Sequence, residues 1–194
     1  MKNYLACAAL MAGLASSPAV AATIQYTDEA AFLSRLTSVS VEDFNDGSVD
    51  SPLTVSSAVG FVDGGVWNDR LDPNGATTTW SFGSAINGFG GLWNLAGPGG
   101  EGTGIALTLT LFGGAVELLS FEVSNTLSGQ FFGFISDQSF TSVLFSAGTQ
   151  GGFAETYNLD NLTTGVAAVP LPAAFGLLAF ALGSLCALRR RRRT

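Results

Sequence analysis

The central part of the chain is a succession of short apolar or alternating segments separated by turn-forming residues. Residues 106–112 alternate small or polar side chains with leucine, and residues 118–123 continue the pattern after Gly113-Gly114. Residues 131–135 and 139–145 form another pair, divided by residues 136–138. About nine such strands favour an antiparallel β-sandwich or jelly roll over a parallel fold, which would need helices between its strands.

Three other local patterns refine this all-β prediction. Residues 28–36 have helical spacing, with Thr27 or Asp28 as the N-cap. Residues 77–82 read as a strand between two turn signals, Asn74-Gly75 and Asn87-Gly88. Residues 88–104 are rich in glycine, and we interpret them as a long surface loop because no Gly-Lys-Ser/Thr of a phosphate loop follows.

The first 22 residues have the pattern of a secretory signal peptide. Lys2 precedes an apolar stretch over residues 5–14, and Ala19-Val20-Ala21 places small residues at positions −3 and −1 of a cleavage site. Cleavage there leaves Ala22 or Thr23 first. The predicted organisation is therefore a signal peptide over 1–22, a β-sandwich ectodomain over 23–166 and a tail over 167–194.

The tail has the pattern of a membrane segment. Residues 169–188 are apolar and close to the ~20 residues that a spanning helix needs. Arginines follow, and they stop transfer and place the ectodomain outside the membrane. They are Arg189, Arg190, Arg191, Arg192 and Arg193. An ordinary single-pass anchor has the same two parts. The pattern alone therefore does not distinguish a permanent anchor from a tail that is later cut off.

The order of the parts in the tail resembles the VPLPA variant of the PEP-CTERM sorting signal. The apolar helix and the arginine cluster follow a proline motif, Val169-Pro170-Leu171-Pro172-Ala173. The resemblance implies that an exosortase-type membrane transpeptidase cuts near this motif. The ectodomain, after an inner-membrane intermediate, would then reach the cell surface or the extracellular matrix.

The ectodomain also resembles the β-sandwich ectodomains that PEP-CTERM proteins often carry. The similar stretches are residues 26–43, 60–62, 64–67, 129–134, 136–137 and 155–162. This resemblance implies a galactose-binding-like jelly roll, without implying that sugar binding survives.

Composition excludes several classes of function. Between residues 23 and 169 the only basic side chains are Arg35 and Arg70, while all 15 carboxylates of the chain lie there, a formal charge of about −13. Such a surface repels nucleic acid. The chain has no histidine, and Cys7 and Cys186 both lie outside the ectodomain. Disulfides, thiolate metal sites and Ser-His catalysis are thereby excluded from the ectodomain.

Carboxylates at predicted strand ends suggest a structural calcium site. Glu42 and Asp43 end an early strand, and Asp160 ends the last one. The first and last strands of a jelly roll are commonly neighbours, so these oxygens could converge on a hard cation. The alternative is that these side chains are simply solvated.

Aromatic residues next to amides and carboxylates suggest glycan recognition. Trp67-Asn68-Asp69-Arg70 combines a stacking ring with hydrogen-bonding groups, and Trp93-Asn94 offers another pair. The alternative is that both tryptophans pack in the core, as Trp80 is expected to do.

The leading functional hypothesis is a non-enzymatic exported protein associated with exopolysaccharide or biofilm. Its predicted partners are the membrane, an exosortase-like enzyme and extracellular polysaccharide, and structural calcium is its one predicted cofactor. Two alternatives stay open: a carbohydrate-binding module or adhesin, and an ordinary single-pass membrane-anchored structural protein.

Overall fold

The computed structural model describes residues 22–72, 74–97 and 99–167. They contain one short helix, α1 (Glu29–Leu33), and ten strands. The strands are β1 (Thr23–Tyr26), β2 (Leu36–Glu42), β3 (Thr54–Ser57), β4 (Phe61–Asp63), β5 (Val66–Leu71), β6 (Thr78–Asn94), β7 (Ile105–Leu111), β8 (Val116–Val123), β9 (Ser128–Ala147) and β10 (Glu155–Ala167).

All strand pairs are antiparallel. The main order is β4-β5-β10-β6-β9-β7-β8, with β1 added to β9, β2 to β10 and β3 to β6. The prediction of an all-β antiparallel fold is therefore confirmed. Strands β2 and β10, which the jelly-roll argument made neighbours, are paired, with Glu42 opposite Leu162.

Two long strands carry the sheet from one layer of the molecule to the other. The register between β6 and β9 is interrupted between Ser81 and Gly88. Phe145 pairs with Thr78, yet its ring lies 5.5 Å from that of Trp93, at the far end of β6. Such a contact requires the two ends of β6 to face each other across the interior, so the sheet folds over into a sandwich.

The interior between the layers is dominated by aromatic rings. Burial along β7 follows the alternating sequence pattern, because Ile105, Leu107 and Leu109 are buried while Ala106 and Thr108 between them are half-exposed. Each fully buried aromatic or leucine side chain contributes roughly 1.5–3 kcal/mol through loss of water contact. The largest buried rings are Trp80, Trp93, Tyr157, Phe44, Phe89, Phe134, Phe140 and Phe145.

Helix α1 covers the outer face of one layer. The Asp28 carboxylate accepts a hydrogen bond from the Ala31 N–H at 2.7 Å, which confirms Asp28 as the N-cap. Phe32 is fully buried against Tyr26 and Phe131, at ring distances of 5.7 and 5.3 Å. The helix ends at Leu33, three residues earlier than predicted, because Leu36 already pairs with β10.

Two of the four predicted turns are present. Gly75 has φ +105°, and the turn at residues 72–76 is closed by Asp72 and Ala76. Gly113 and Gly114 both have positive φ, and the Gly114 N–H donates to the Leu111 carbonyl at 2.9 Å. Glycine suits these positions because it adopts positive φ without a steric penalty.

Three other local predictions are wrong. Residues 136–138 do not separate two strands, because β9 runs through them and bends there instead of reversing. Asn87-Gly88 is not a turn: Asn87 is buried inside β6, where it exchanges hydrogen bonds with the main chain of Ala167. The glycine-rich stretch 88–104 is not one loop, since residues 88–94 belong to β6.

Candidate ligand-binding site

The tryptophans singled out by the sequence lie in the core. Trp67 is 4% exposed and Trp93 is 1% exposed. The Trp93 Nε1–H donates to the Phe132 carbonyl at 2.9 Å, and Trp67 packs edge-on against Trp80 at 5.2 Å. Neither ring offers a face to a sugar, so the prediction that they stack on glycan is wrong in this fold.

The polar residues beside Trp67 are likewise engaged inside the fold. Asp69 is buried and accepts hydrogen bonds from the Ser57 hydroxyl at 3.0 Å, the Arg70 N–H at 2.7 Å and the Thr78 hydroxyl. Burial and the nearby Asp69 charge raise the pKa of Tyr157 well above its ordinary value. This buried network links β5 to β3 and β6, and it engages both oxygens of the Asp69 carboxylate inside the fold.

Asn68 is also committed to the fold. Its side-chain amide donates to the carbonyls of Asp63 and Val66, and its oxygen accepts from Asn158 across the β5–β10 pair. The predicted glycan-contacting group formed by Trp67, Asn68 and Asp69 is therefore a structural unit of the sheet.

The carboxylates of the predicted calcium site have local roles. Both oxygens of Glu42 accept main-chain hydrogen bonds, from Phe44 at 2.8 Å and Asp50 at 2.6 Å. The Asp43 carboxylate accepts a hydrogen bond from the Asn45 N–H at 3.1 Å. This bond and a second one from the Asn45 side chain lower the pKa of Asp43. Asp160 lies within β10, not at its end, and accepts from the Asn161 N–H.

Within residues 22–167 as far as they are described, no group of three or more acidic, histidine or cysteine side chains is placed to hold a metal ion. Calcium binding through main-chain carbonyls stays a prediction.

Exposed aromatic rings occur instead on loops and edge strands. Phe61, Phe112 and Phe153 are 57%, 75% and 67% exposed. Of these three, Phe153 lines a depression, with a volume of about 420 Å³. We call this concave surface the Phe153 depression, and its other lining residues are Asp72, Gly75, Thr77, Thr103, Ser146, Ala147, Gly148 and Gly152.

The depression is built where two loops meet. The loop after β9 is held on the segment before β7 by main-chain hydrogen bonds from Gly148 to Gly104 and from Gln150 to Thr103, both of 2.9 Å. Thr149 is fixed in addition by the Glu122 carboxylate at 3.0 Å. These bonds restrain the segment that carries Phe153.

Close main-chain approach at this junction requires glycine. Gly104 has φ +72°, and a Cβ on Gly148 would lie 2.6 Å from the Thr103 carbonyl oxygen. Gly152, with φ +68°, would place a Cβ 3.1 Å from the main chain of Gly102. Larger residues would push the two loops apart and widen the depression.

A buried carboxyl group lies directly behind the two loops. Glu155 is 0% exposed, and its Oε2 accepts from the Gly104 N–H at 2.6 Å. Its Oε1 has no hydrogen-bond partner among the described residues. Burial raises the pKa of this carboxyl to about 7 from its ordinary value of 4.5, although the bond from Gly104 acts in the opposite direction.

The groups facing the depression combine an apolar ring with hydrogen-bonding oxygens. The Asp72 Oδ1 caps the turn by accepting from the Asn74 N–H at 2.9 Å. No described residue donates to its Oδ2, and the hydroxyls of Thr77 and Ser146 have no hydrogen-bond partner in the described part of the chain. The surface can therefore pack on an apolar face and hydrogen-bond to a polar edge.

A second concavity opens between the layers beside β2. It has a volume of about 310 Å³, and Leu53, Phe82, Ile86 and Leu162 are among its lining residues. Hydroxyls also line it, from Ser38, Ser40, Ser51, Ser84 and Thr164. Its wall depends on Gly83, where a Cβ would lie 2.4 Å from that of Pro52. This interlayer cleft has no exposed aromatic ring.

Sequence reasoning missed the Phe153 depression. Phe153 follows Thr149-Gln150-Gly151-Gly152, and the only available signal was a large aromatic residue placed in a polar, glycine-rich turn. Asp72 caps the turn at residues 72–76. Its place in the depression depends on a loop about 80 residues later in the sequence.

The predicted signal peptide with its cleavage residues Ala19 and Ala21, the sorting motif and the arginine cluster lie outside the described residues. Within the described part of the chain, no helix is both long enough and apolar enough to span a bilayer.

Comparisons with known proteins identified no family. No protein-family model matches the chain, and no curated protein matches it. Among solved structures, a mutant of a family 29 carbohydrate-binding module has a TM-score of 0.49 and 10% identity, with 69% of this chain and 95% of that chain covered.

A family 32 carbohydrate-binding module from Clostridium perfringens, in complex with galactose, has a TM-score of 0.38 and 13% identity, covering 62% of this chain and 98% of that chain. These similarities are too distant to bear on what this chain binds.

Proposed function

We propose that this protein is an exported, non-catalytic module that binds neutral glycan at the Phe153 depression. The finer description of its fold as a galactose-binding-like jelly roll belongs to the same proposal. Delivery to the cell surface or extracellular matrix would depend on the signal peptide and the C-terminal sorting tail. Glycan there, in the form of exopolysaccharide, would be its partner.

One observation carries the glycan proposal: the exposed ring of Phe153 shares a concave surface with free oxygens. A pyranose ring has an apolar face of C–H groups and an edge of hydroxyls. Phe153 can cover that face, while Asp72, Thr77 and Ser146 lie in the same depression and can meet the hydroxyls. A pocket with an apolar surface and a few convergent polar groups is the usual form of a small-ligand site.

The charge of the domain favours a neutral ligand. Its 15 carboxylates are opposed by two arginines. An anionic polysaccharide would meet a repulsive field, whereas the hydroxyls of a neutral glycan accept and donate hydrogen bonds irrespective of it.

The arrangement of carboxyl groups supports binding without catalysis. Glycosidic hydrolysis by the usual route needs two carboxyl groups flanking the bond. Asp72 is the one carboxylate among the residues lining the depression. Glu155 is enclosed behind the loops and donates or accepts nothing at the surface.

The test is a binding survey with matched variants of the exported protein. Neutral polysaccharides, such as galactans, mannans and glucans, are screened by affinity electrophoresis, and the strongest is titrated by calorimetry. We expect Phe153→Ala to weaken binding about tenfold, which corresponds to the loss of about 1.4 kcal/mol of aromatic packing. Phe112→Ala is the control, since Phe112 is also mainly exposed but lies outside the depression.

A third variant separates the two concavities. Ser84→Leu narrows the interlayer cleft and should leave binding unchanged. If Ser84→Leu abolishes binding and Phe153→Ala does not, the ligand site is the cleft and the proposal for the depression fails. If wild-type protein binds no neutral glycan, the glycan proposal itself fails.

Sorting through the tail is supported by the resemblance of the tail to VPLPA signals and by the way in which β10 ends. Buried Asn87 accepts from the Ala167 N–H at 2.6 Å and donates to its carbonyl at 3.3 Å. The last described strand is thus fixed to its final residue. A cut at Val169–Ala173 would leave all ten strands intact.

Intact mass measurement of the protein recovered from cells tests this part. Processing predicts a mature chain that ends near Pro172. A chain that still carries the arginines at its C-terminus would support the alternative of an ordinary single-pass anchor.

A further inference from the structure

The first described residue makes a two-way contact with the bend of β9. The Ala22 N–H donates to the Asp137 Oδ1 at 2.9 Å, and the Asp137 N–H donates back to the Ala22 carbonyl at 2.9 Å. The contact closes the end of the β1–β9 ladder, next to the pair formed by Thr23 and Ser136.

The chemical nature of the donor changes when the leader is removed. Hydrolysis of the Ala21–Ala22 bond consumes one water, leaves a carboxylate on Ala21 and converts the Ala22 amide nitrogen into an α-ammonium group. A charge-assisted hydrogen bond to a carboxylate is stronger than one from a neutral amide. The same two atoms would then form an ion pair.

We propose that Asp137 is the binding site for the new N-terminal ammonium group, so that leader cleavage at Ala21–Ala22 fastens β1 onto β9. The inference rests on the proposed export, and not on glycan binding. Docking of β1 also holds Tyr26 against Phe32, the buried residue of α1. Removal of the leader would therefore complete the cover over this face of the sandwich.

Few other charged groups lie near this contact. Strand β1 packs on β9 and α1. Asp137 is the sole titratable side chain of β9. At the opposite end of β1 lie Tyr26, the N-cap residue Asp28 and the α1 residue Glu29. Arg35 comes after α1. Asp137 is therefore the carboxylate that determines how the ammonium group titrates.

The sequence allows this amine to be observed alone. Lys2 is the only lysine of the chain and leaves with the leader. The mature protein then has one primary amine, and any amine-specific reagent reports on it without interference.

The experiment uses protein exported and processed by cells. N-terminal sequencing comes first and is expected to begin at Ala22. The rate of acetylation is then measured from pH 6 to 10 in wild type, Asp137→Asn and, as a control of equal charge, Asp63→Asn from β4. An ordinary α-amine has a pKa of about 8. We expect the pKa of the N-terminal amine to be about half a unit or more higher in wild type and in Asp63→Asn than in Asp137→Asn.

Thermal melting of acetylated and unmodified wild type gives a second readout that needs no variant. A raised pKa means that the stabilisation is present at pH 6.5 and lost as the pH rises past the folded-state value. Unmodified protein should therefore melt above acetylated protein at pH 6.5, and the two should coincide at pH 10.

Three results would overturn the inference. A different first residue would show that cleavage does not create this contact, which is a failure of the proposed processing. Equal amine titration in wild type and Asp137→Asn would show that no ion pair forms. Identical melting of acetylated and free protein at pH 6.5 would lead to the same conclusion.

Discussion

The aromatic core and the Phe153 depression use the same kind of side chain for opposite purposes. All three tryptophans are buried between the layers, together with Phe89, Phe145 and other rings. The depression presents one phenylalanine to solvent on a loop tied to its neighbour. Residue type alone therefore does not identify a stacking surface in this chain. Whether a ring lies between the layers or on an exposed loop decides whether a ligand can reach it.

The largest expected effect separates the core from the surface. Trp93→Ala should lower the free energy of unfolding by about 3–5 kcal/mol, because it leaves a cavity among rings and deprives the Phe132 carbonyl of its donor. Chemical denaturation measures this loss. A Trp93→Ala protein of normal stability that no longer bound glycan would instead restore Trp93 as a ligand contact.

A smaller effect concerns Glu155, which lies between the two regions. Its pKa is raised to about 7 in the fold, so between pH 4.5 and 7 the folded chain holds a proton that the unfolded chain releases. The contribution of Glu155 to the free energy of unfolding should therefore be greatest below about pH 4.5 and should decline as the pH rises to about 7. Allowing for water near the loops, the decline attributable to this group is about 1–2 kcal/mol.

Glu155→Gln removes that titration. Its free energy of unfolding should change less with pH than that of wild type, so that the variant is the more stable of the two at pH 8. Glu117→Gln on β8 is the matched control and should follow the wild-type profile. If wild type and Glu155→Gln show parallel pH profiles, Glu155 does not titrate as described.

The free energies of unfolding of Phe153→Ala and Phe112→Ala should both lie within about 0.5 kcal/mol of that of wild type, because both rings are mainly exposed to water. Denaturation of the two variants side by side tests this. A loss of 2 kcal/mol or more in Phe153→Ala alone would mean that the ring holds the loops together, and any loss of glycan binding in that variant could then be structural.

The smallest effect concerns calcium. If main-chain carbonyls complete a site near Asp43, millimolar calcium added after EGTA should raise the melting temperature slightly, by mass action. We expect a rise of only about one or two degrees, because both oxygens of Glu42 already accept hydrogen bonds from main-chain N–H groups and would bind calcium weakly. An unchanged melting temperature would count against the site.

Local patterns in the sequence predicted β7, β8 and the turn between them but could not predict long-range partners. The alternation in residues 106–112 and the glycines at 113 and 114 encode β7, its turn and β8 directly. The prediction of a turn at Asn87-Gly88 was wrong because this dipeptide, which often forms turns, lies inside a strand in this protein. The Asn87 side chain makes a buried contact with Ala167, 80 residues away in the sequence. Strand bending within β6 and β9 likewise arises from packing of the two layers.

The candidate site was hidden from the sequence for the same reason. Trp67 stands next to Asn68 and Asp69 in the chain, yet alternation along β5 and the covering layer bury the ring and the carboxylate. Phe153, Asp72 and Thr103 come from three separate segments. Hydrogen bonds between loops join the Thr103 segment to the segment that carries Phe153, and the pairing of Thr78 with Phe145 in β9 brings the Asp72 turn to the same end of the sheet. No local pattern contains that information.

The most direct test of the account is to map a bound neutral glycan onto the protein by NMR titration. The main-chain signals of Thr77, Thr103, Gly148 and Phe153 should shift together on saturation, while those of Ser40 and Ser84 in the interlayer cleft stay in place. Shifts confined to the cleft, or spread over the exposed Phe112 turn, would contradict the assignment of the Phe153 depression as the ligand site.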